Sequence, residues 1–101
     1  MHRQTKATAI PISVKTAVWE RDGGKCALCE CNKAFPDAHF IARSHGGKGI
    51  EQNIVTLCRR CHDLYDNSEH RKAIRERLRE YLMSKYPEWN EKELIYKKYD
   101  F

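Results

Sequence analysis

No run of apolar residues in this 101-residue chain approaches the roughly 20 that a membrane-spanning helix requires, so membrane insertion is not expected. The chain also shows no secretory leader. With five cysteines present, that absence points to a reducing, cytoplasmic setting in which thiolates bind metal instead of pairing as disulfides. There is no internal repeat and no low-complexity tract, and the length fits one domain. A domain of this size buries limited apolar surface, so a metal staple is physically useful to it.

Acidic residues are in the minority as well. Nineteen Lys and Arg face fourteen Asp and Glu, for a net charge of +5, which suits a polyanionic partner. The excess is not spread evenly. Residues 1–62 hold ten basic and five acidic side chains and residues 63–101 hold nine of each, so the surplus lies with the cysteines.

What the sequence does have is two C-x-x-C pairs, Cys26/Cys29 and Cys58/Cys61. Each pair offers two thiolates on one tight turn, and a tetrahedral zinc ion takes four ligands, so the spacing predicts one structural zinc site. A redox dithiol would need only one such pair. Cys31 is the spare; it competes with Cys29 as a ligand, but the spacing of Cys26/Cys29 mirrors that of Cys58/Cys61.

The pattern along the chain predicts an α+β module. Residues 1–11 lack periodicity and are expected as a loose arm. Ser13 is the expected N-cap of a helix carrying Val14, Ala17 and Val18 on one face and stopped by Asp22-Gly23-Gly24. Strands are expected at 38–41 and 54–57, joined through a glycine-rich loop at 44–49, with a helix beginning at or just after Cys61. An amphipathic helix should run from about Ser68 to Lys85, with Ile74, Leu78, Tyr81 and Leu82 on one face and Arg71, Arg75 and Arg79 on another. Pro87 ends it, and Asn90 with Glu93 predicts a short last helix bearing Leu94, Ile95 and Tyr99. The expected division is an arm at 1–11, a zinc-stapled ββα module at 12–67 and a helical extension of the same domain at 68–101.

The order C-x-x-C, then "AHFIARSHGG", then "NIVTLCRRCH", preceded by "VWERDGGKCALC", resembles the HNH endonucleases with a four-cysteine zinc frame. The resemblance covers residues 12–67, and Asn53 lies nine residues before His62, as in that family's motif. It implies the ββα-metal, or His-Me finger, fold and a metal-dependent DNA endonuclease or nicking enzyme. His39 matches the general base, Asn53 the residue that fixes the loop, and His62 the ligand of a catalytic divalent cation, Mg²⁺, Mn²⁺ or Ni²⁺. Small relatives of this kind belong to bacteria and phages, which implies the cytoplasm of a bacterial cell or infected host.

The chain departs from the family in one place. Many relatives carry a metal-binding Asp or His just before the base, where this chain has Ala38. His62 and Asp66 are spaced i, i+4 on one helix face, so Asp66 is the expected second ligand. Asp37 is the fallback, because strand alternation lets its carboxylate reach the cation only through a bulge. Arg43, Lys48, Arg59 and Arg60 are the expected DNA contacts, and His45 is expected to be solvated or near phosphate.

Taken singly, each of the three motif residues has a plainer role: His39 as a core histidine, Asn53 as a turn former, His62 as a spare zinc ligand. The alternative function is a non-catalytic zinc-stabilised DNA-binding module, for which Ala38 is the motive. Sequence preference and the choice between monomer and homodimer stay open at this stage.

Overall fold

A computed structural model describes residues 3–97. Its elements are α1 (Arg3–Thr8), α2 (Ile12–Arg21), β1 (Ala34–His39), β2 (Ile54–Cys58), α3 (Arg59–Asn67) and α4 (Arg71–Lys85), with 3-10 turns at Arg43–His45, Glu51–Asn53 and Glu91–Leu94. The two strands form one antiparallel sheet, with Ala34 opposite Cys58 and His39 opposite Ile54. The protein is therefore a small α+β molecule in which a ββα unit, β1–β2–α3, carries flanking helices.

Strand β2 is mostly apolar, with β-branched Ile54, Val55 and Thr56, and all five of its residues are buried. Val55 and Leu57 join Ala38, Phe40, Tyr65, Leu78, Leu82 and Leu94 in the core. Tyr65 from α3 donates its hydroxyl to the Phe40 carbonyl at 2.6 Å, which fixes the chain just beyond His39. At the end of α2, Asp22 is a buried cross-tie. Its side chain is 0 % exposed, pairs with Arg21 at 2.8 Å, and accepts from the Thr56 amide at 2.9 Å and the Tyr81 hydroxyl at 2.5 Å. Arg21 also donates to the carbonyls of Glu51 and Ile54, so α2, β2 and α4 meet at one ion pair. Burial raises the pKa of Asp22, but the bonds from Arg21 and Tyr81 outweigh it and hold the carboxyl below its ordinary value.

Several boundaries differ from those the sequence pattern suggests, each for a local reason. The segment expected as a loose arm carries α1, and Thr8 at its end is only 2 % exposed. Pro11, not Ser13, caps α2: its fixed φ of −63° presents a carbonyl that accepts from Val14 and Lys15 at 3.1 Å each. Asp22, Gly23 and Gly24 do end that helix, with both glycines at positive φ.

Strand β1 begins at Ala34 and runs through Pro36, which cannot donate to the ladder. The register shifts between Phe35 and Ala38 as a result. Helix α3 starts at Arg59, before Cys61, because Cys58 serves as its N-cap: the Cys58 sulfur accepts from the Cys61 amide at 3.4 Å. The expected last helix is one 3-10 turn in which Asn90 accepts from the Lys92 amide at 3.0 Å, and Tyr99 lies outside the described residues.

Candidate active site

The first knuckle is tied to the hairpin by its backbone. Ala27 donates to the Thr56 carbonyl at 2.8 Å, and the Cys26 amide donates to the Cys31 carbonyl at 2.9 Å. These bonds bring Cys26 and Cys29 against Cys58 and Cys61, and the four sulfurs lie within 4.8 Å of one another. Four thiolates about 2.3 Å from a tetrahedral ion stand about 3.8 Å apart, so the cluster can hold zinc. Cys31 is not one of the four. Among the described residues no second group of three or more such side chains converges in this way.

At the other end of the hairpin lies an open cleft of about 390 Å³. Asp37 and His39 line it from β1, and His62, Tyr65 and Asp66 line it from α3. The His62 ring sits between two carboxylates, with Asp37 Oδ1 at 3.9 Å from its Nδ1 and Asp66 Oδ2 at 3.2 Å from its Nε2. The bulge at Pro36 supplies the bend that Asp37 needs to face this way. Its Oδ2 meets Arg59 at 3.4 Å, while its Oδ1 is buried with no hydrogen-bond partner. A buried carboxylate oxygen without a partner beside an imidazole is a donor set suited to a hard divalent cation.

His39 Nε2 lies 2.8 Å from the Thr8 carbonyl oxygen. A carbonyl only accepts, so Nε2 carries the ring proton and Nδ1 keeps the lone pair of the neutral imidazole. Burial, the larger influence, holds the His39 pKa below its ordinary value; the bond to Thr8 acts in the opposite direction. The ring is therefore neutral, and basic at Nδ1, in neutral solution.

Asn53 is fully buried and spans the loop that follows His39. Its Oδ1 accepts from the Ile41 amide at 2.8 Å, and its Nδ2 donates to the carbonyls of Ile41 and Lys48 at 3.2 and 2.8 Å. Its own carbonyl accepts from the Phe40 amide at 2.7 Å. The end of β1 is thus held by one side chain reaching across twelve residues.

The basic residues fall in different places. Arg43 lines the cleft and donates to Thr8 Oγ1 at 3.2 Å. Arg59 is exposed and stacks over Phe35, and Arg60 is exposed beside it. Lys48 lies away from the cleft, lining a separate hollow with Trp89 and Ile95. His45 is exposed on the turn after Arg43. Two cations that the sequence pattern did not single out for DNA, Lys15 from α2 and Arg71 from α4, line the cleft instead. Neither has a motif signature; only the packing of their helices brings them there.

The family model for HNH endonuclease matches residues 26–68. That segment is similar to an HNH endonuclease domain. It spans both cysteine pairs, the hairpin, the Asn53 loop and α3. No curated protein and no solved structure matches the chain. The similarity lies in this segment, and no helix among the described residues is long and apolar enough to cross a membrane.

Proposed function

We propose that the protein is a metal-dependent DNA endonuclease or nicking enzyme with His39 as its general base. The observation that supports this best is the His39 ring, held at Nε2 by a carbonyl, in one cleft with His62 and the unpartnered carboxylate oxygen of Asp37. In the reaction His39 Nδ1 takes a proton from water as the water oxygen bonds to phosphorus and the bond from phosphorus to the 3′ oxygen breaks. The products are 5′-phosphate and 3′-hydroxyl ends, the leaving oxygen taking its proton from solvent.

His62 and Asp37 would hold the catalytic cation, through Nδ1 and Oδ1, with Asp66 accepting the ring proton at Nε2 and so orienting the imidazole. Such a cation, when bound, neutralises charge on the phosphoryl oxygens and stabilises the leaving oxygen. Zn²⁺ in the cysteine cluster is structural. Lys15, Arg43 and Arg71, around the cleft, contact backbone phosphates of the DNA.

Nicking of supercoiled plasmid with Mg²⁺, Mn²⁺ or Ni²⁺, abolished by EDTA, tests the reading. His39→Ala should lose cleavage while circular dichroism and DNA gel shift stay close to wild type, because binding rests on Lys and Arg and not on the imidazole. DNA binding without cleavage in any of the three metals would instead identify a zinc-stabilised binding module.

A further inference from the structure

Residues 3–10 precede the HNH segment and contribute none of the side chains given a role above except Thr8, which meets Arg43. Their backbone nevertheless enters the cleft. Ala9 and Ile10 line it, and the Thr8 carbonyl receives His39 Nε2. Three attachments hold that carbonyl in place. The Gly49 amide donates to the Ala7 carbonyl at 3.0 Å, Arg43 Nε donates to Thr8 Oγ1 at 3.2 Å, and the Ala9 amide donates to the Thr5 carbonyl at 3.0 Å. Gly49 is the seat: a Cβ there would stand 1.9 Å from the Ala9 carbonyl oxygen, so only glycine lets the segment lie this close.

We propose that this N-terminal segment is a positioning element of the active site, its Thr8 carbonyl fixing His39 in the Nε2–H tautomer and aiming Nδ1 at the water. A neutral imidazole carries one proton and one lone pair, and the partner of one nitrogen decides which nitrogen is the base. Asn53 fixes the backbone that bears His39, but among the contacts described above only the Thr8 carbonyl bonds the ring itself. Released from it, the ring would populate both tautomers and turn about its bond to Cβ. The HNH segment alone would then hold a base of the right kind in an unfixed state. The consequence for turnover rests on the nuclease reading; the position of the ring proton does not.

Ala9→Pro tests this in the zinc-loaded full chain. Proline removes the amide that bonds Thr5 and drives Thr8 out of the helical region, turning its carbonyl without replacing Thr8, His39 or any metal-binding side chain. Long-range proton–nitrogen NMR of the His39 ring, DNA gel shift and plasmid nicking are read together at one neutral pH. In the wild type His39 should be a single Nε2–H tautomer. In Ala9→Pro the two ring nitrogens should move towards averaged shifts and nicking should fall about a hundredfold, the scale expected when a reacting group is displaced by about an ångström, with DNA binding retained.

An Nδ1–H or mixed tautomer in the wild type would overturn the proposal. So would a variant whose tautomer is disturbed but which nicks normally, or one that loses nicking with its tautomer intact, since the segment would then act only through packing. If Ala9→Pro fails to fold, Gly49→Ala, which pushes the Ala9 carbonyl off its seat, is judged by the same readouts. A wild type that fails to nick in Mg²⁺, Mn²⁺ and Ni²⁺ alike would sink the nuclease reading, and the tautomers of wild type and variant would still decide the positioning claim.

Discussion

The cysteine cluster and the cleft share the β1–β2 hairpin: Ala34 faces Cys58 at one end, and His39 faces Ile54 at the other. The two ends are built on different principles. The cluster is closed and local. Its four sulfurs come from two turns of fixed spacing, pinned together by the bond from Ala27 to Thr56. The cleft is open and assembled. Its residues come from α2, β1, α3, α4 and the segment after α1, and one of its working atoms is a backbone oxygen. A zinc ion held there would staple the fold, so changes in the cluster should act on everything, whereas changes in the cleft should act on chemistry and leave the fold standing.

The largest expected effect tests the first half of that contrast. Serine at Cys26, Cys29, Cys58 or Cys61 should release the metal and unfold the chain, because the free energy of structural zinc binding is also folding free energy. Cys31→Ser should keep one zinc per chain by metal analysis and a native circular dichroism spectrum. A stable protein lacking zinc would show that the hairpin needs no staple, and the two ends would no longer differ in kind.

Asn53 belongs to the cleft by position but to the fold by its bonding, so it sharpens the comparison. Asn53→Ala strands the buried Ile41 amide and carbonyl and the part-buried Lys48 carbonyl. Leaving such groups unsatisfied should cost about 3 kcal/mol of stability, read by denaturant unfolding, with zinc retained. Nicking should fall as well, since the strand end bearing His39 loses its brace. A loss below about 1 kcal/mol, the net value of a single ordinary hydrogen bond, would mean that water takes the place of the amide and the loop is not held by it.

The same contrast explains what could be read from the residues alone. Two C-x-x-C pairs announce their geometry because ligand spacing on a turn is a property of the sequence. The burial of Leu78 and Leu82 along α4 is legible for a similar reason, since helical periodicity is local. The seat of His39 is not legible: a carbonyl has no side-chain signature, and residues 3–8 show no apolar period to suggest that they pack. Lys48 is expected at phosphate because it borders the glycine-rich loop; in the fold Asn53 binds its carbonyl and it lines a hollow other than the cleft, a placement that no local pattern carries. That Lys15 and Arg71 line the cleft depends on the packing of α2 and α4, which no local pattern carries. Pro36 did carry a signal. A proline within β1 demands a bulge, and that bulge turns Asp37 towards His62.

Asp37 and Asp66 give the smallest of these effects and the most specific. Both flank the His62 ring, and simple truncation to alanine would not separate them, since the loss of an orienting carboxylate also weakens a metal site about tenfold or more. Asparagine separates them. At position 66 an amide oxygen can still accept the Nε2 proton, 3.2 Å from where the carboxylate now stands, so Asp66→Asn should nick at nearly the wild-type Mn²⁺ concentration. At position 37 the same change removes the negative charge from the oxygen beside Nδ1, and a neutral amide is a poorer ligand for a hard cation. Asp37→Asn should therefore raise the Mn²⁺ needed for half-maximal nicking at least about tenfold, with unchanged circular dichroism. The i, i+4 spacing on α3 makes the opposite forecast, with Asp66 sharing the cation. Titrating Mn²⁺ against nicking rate for both variants decides between strand and helix: a raised requirement in Asp66→Asn with none in Asp37→Asn would place the second ligand on α3 and leave Asp37 as a partner for Arg59 alone, through Oδ2.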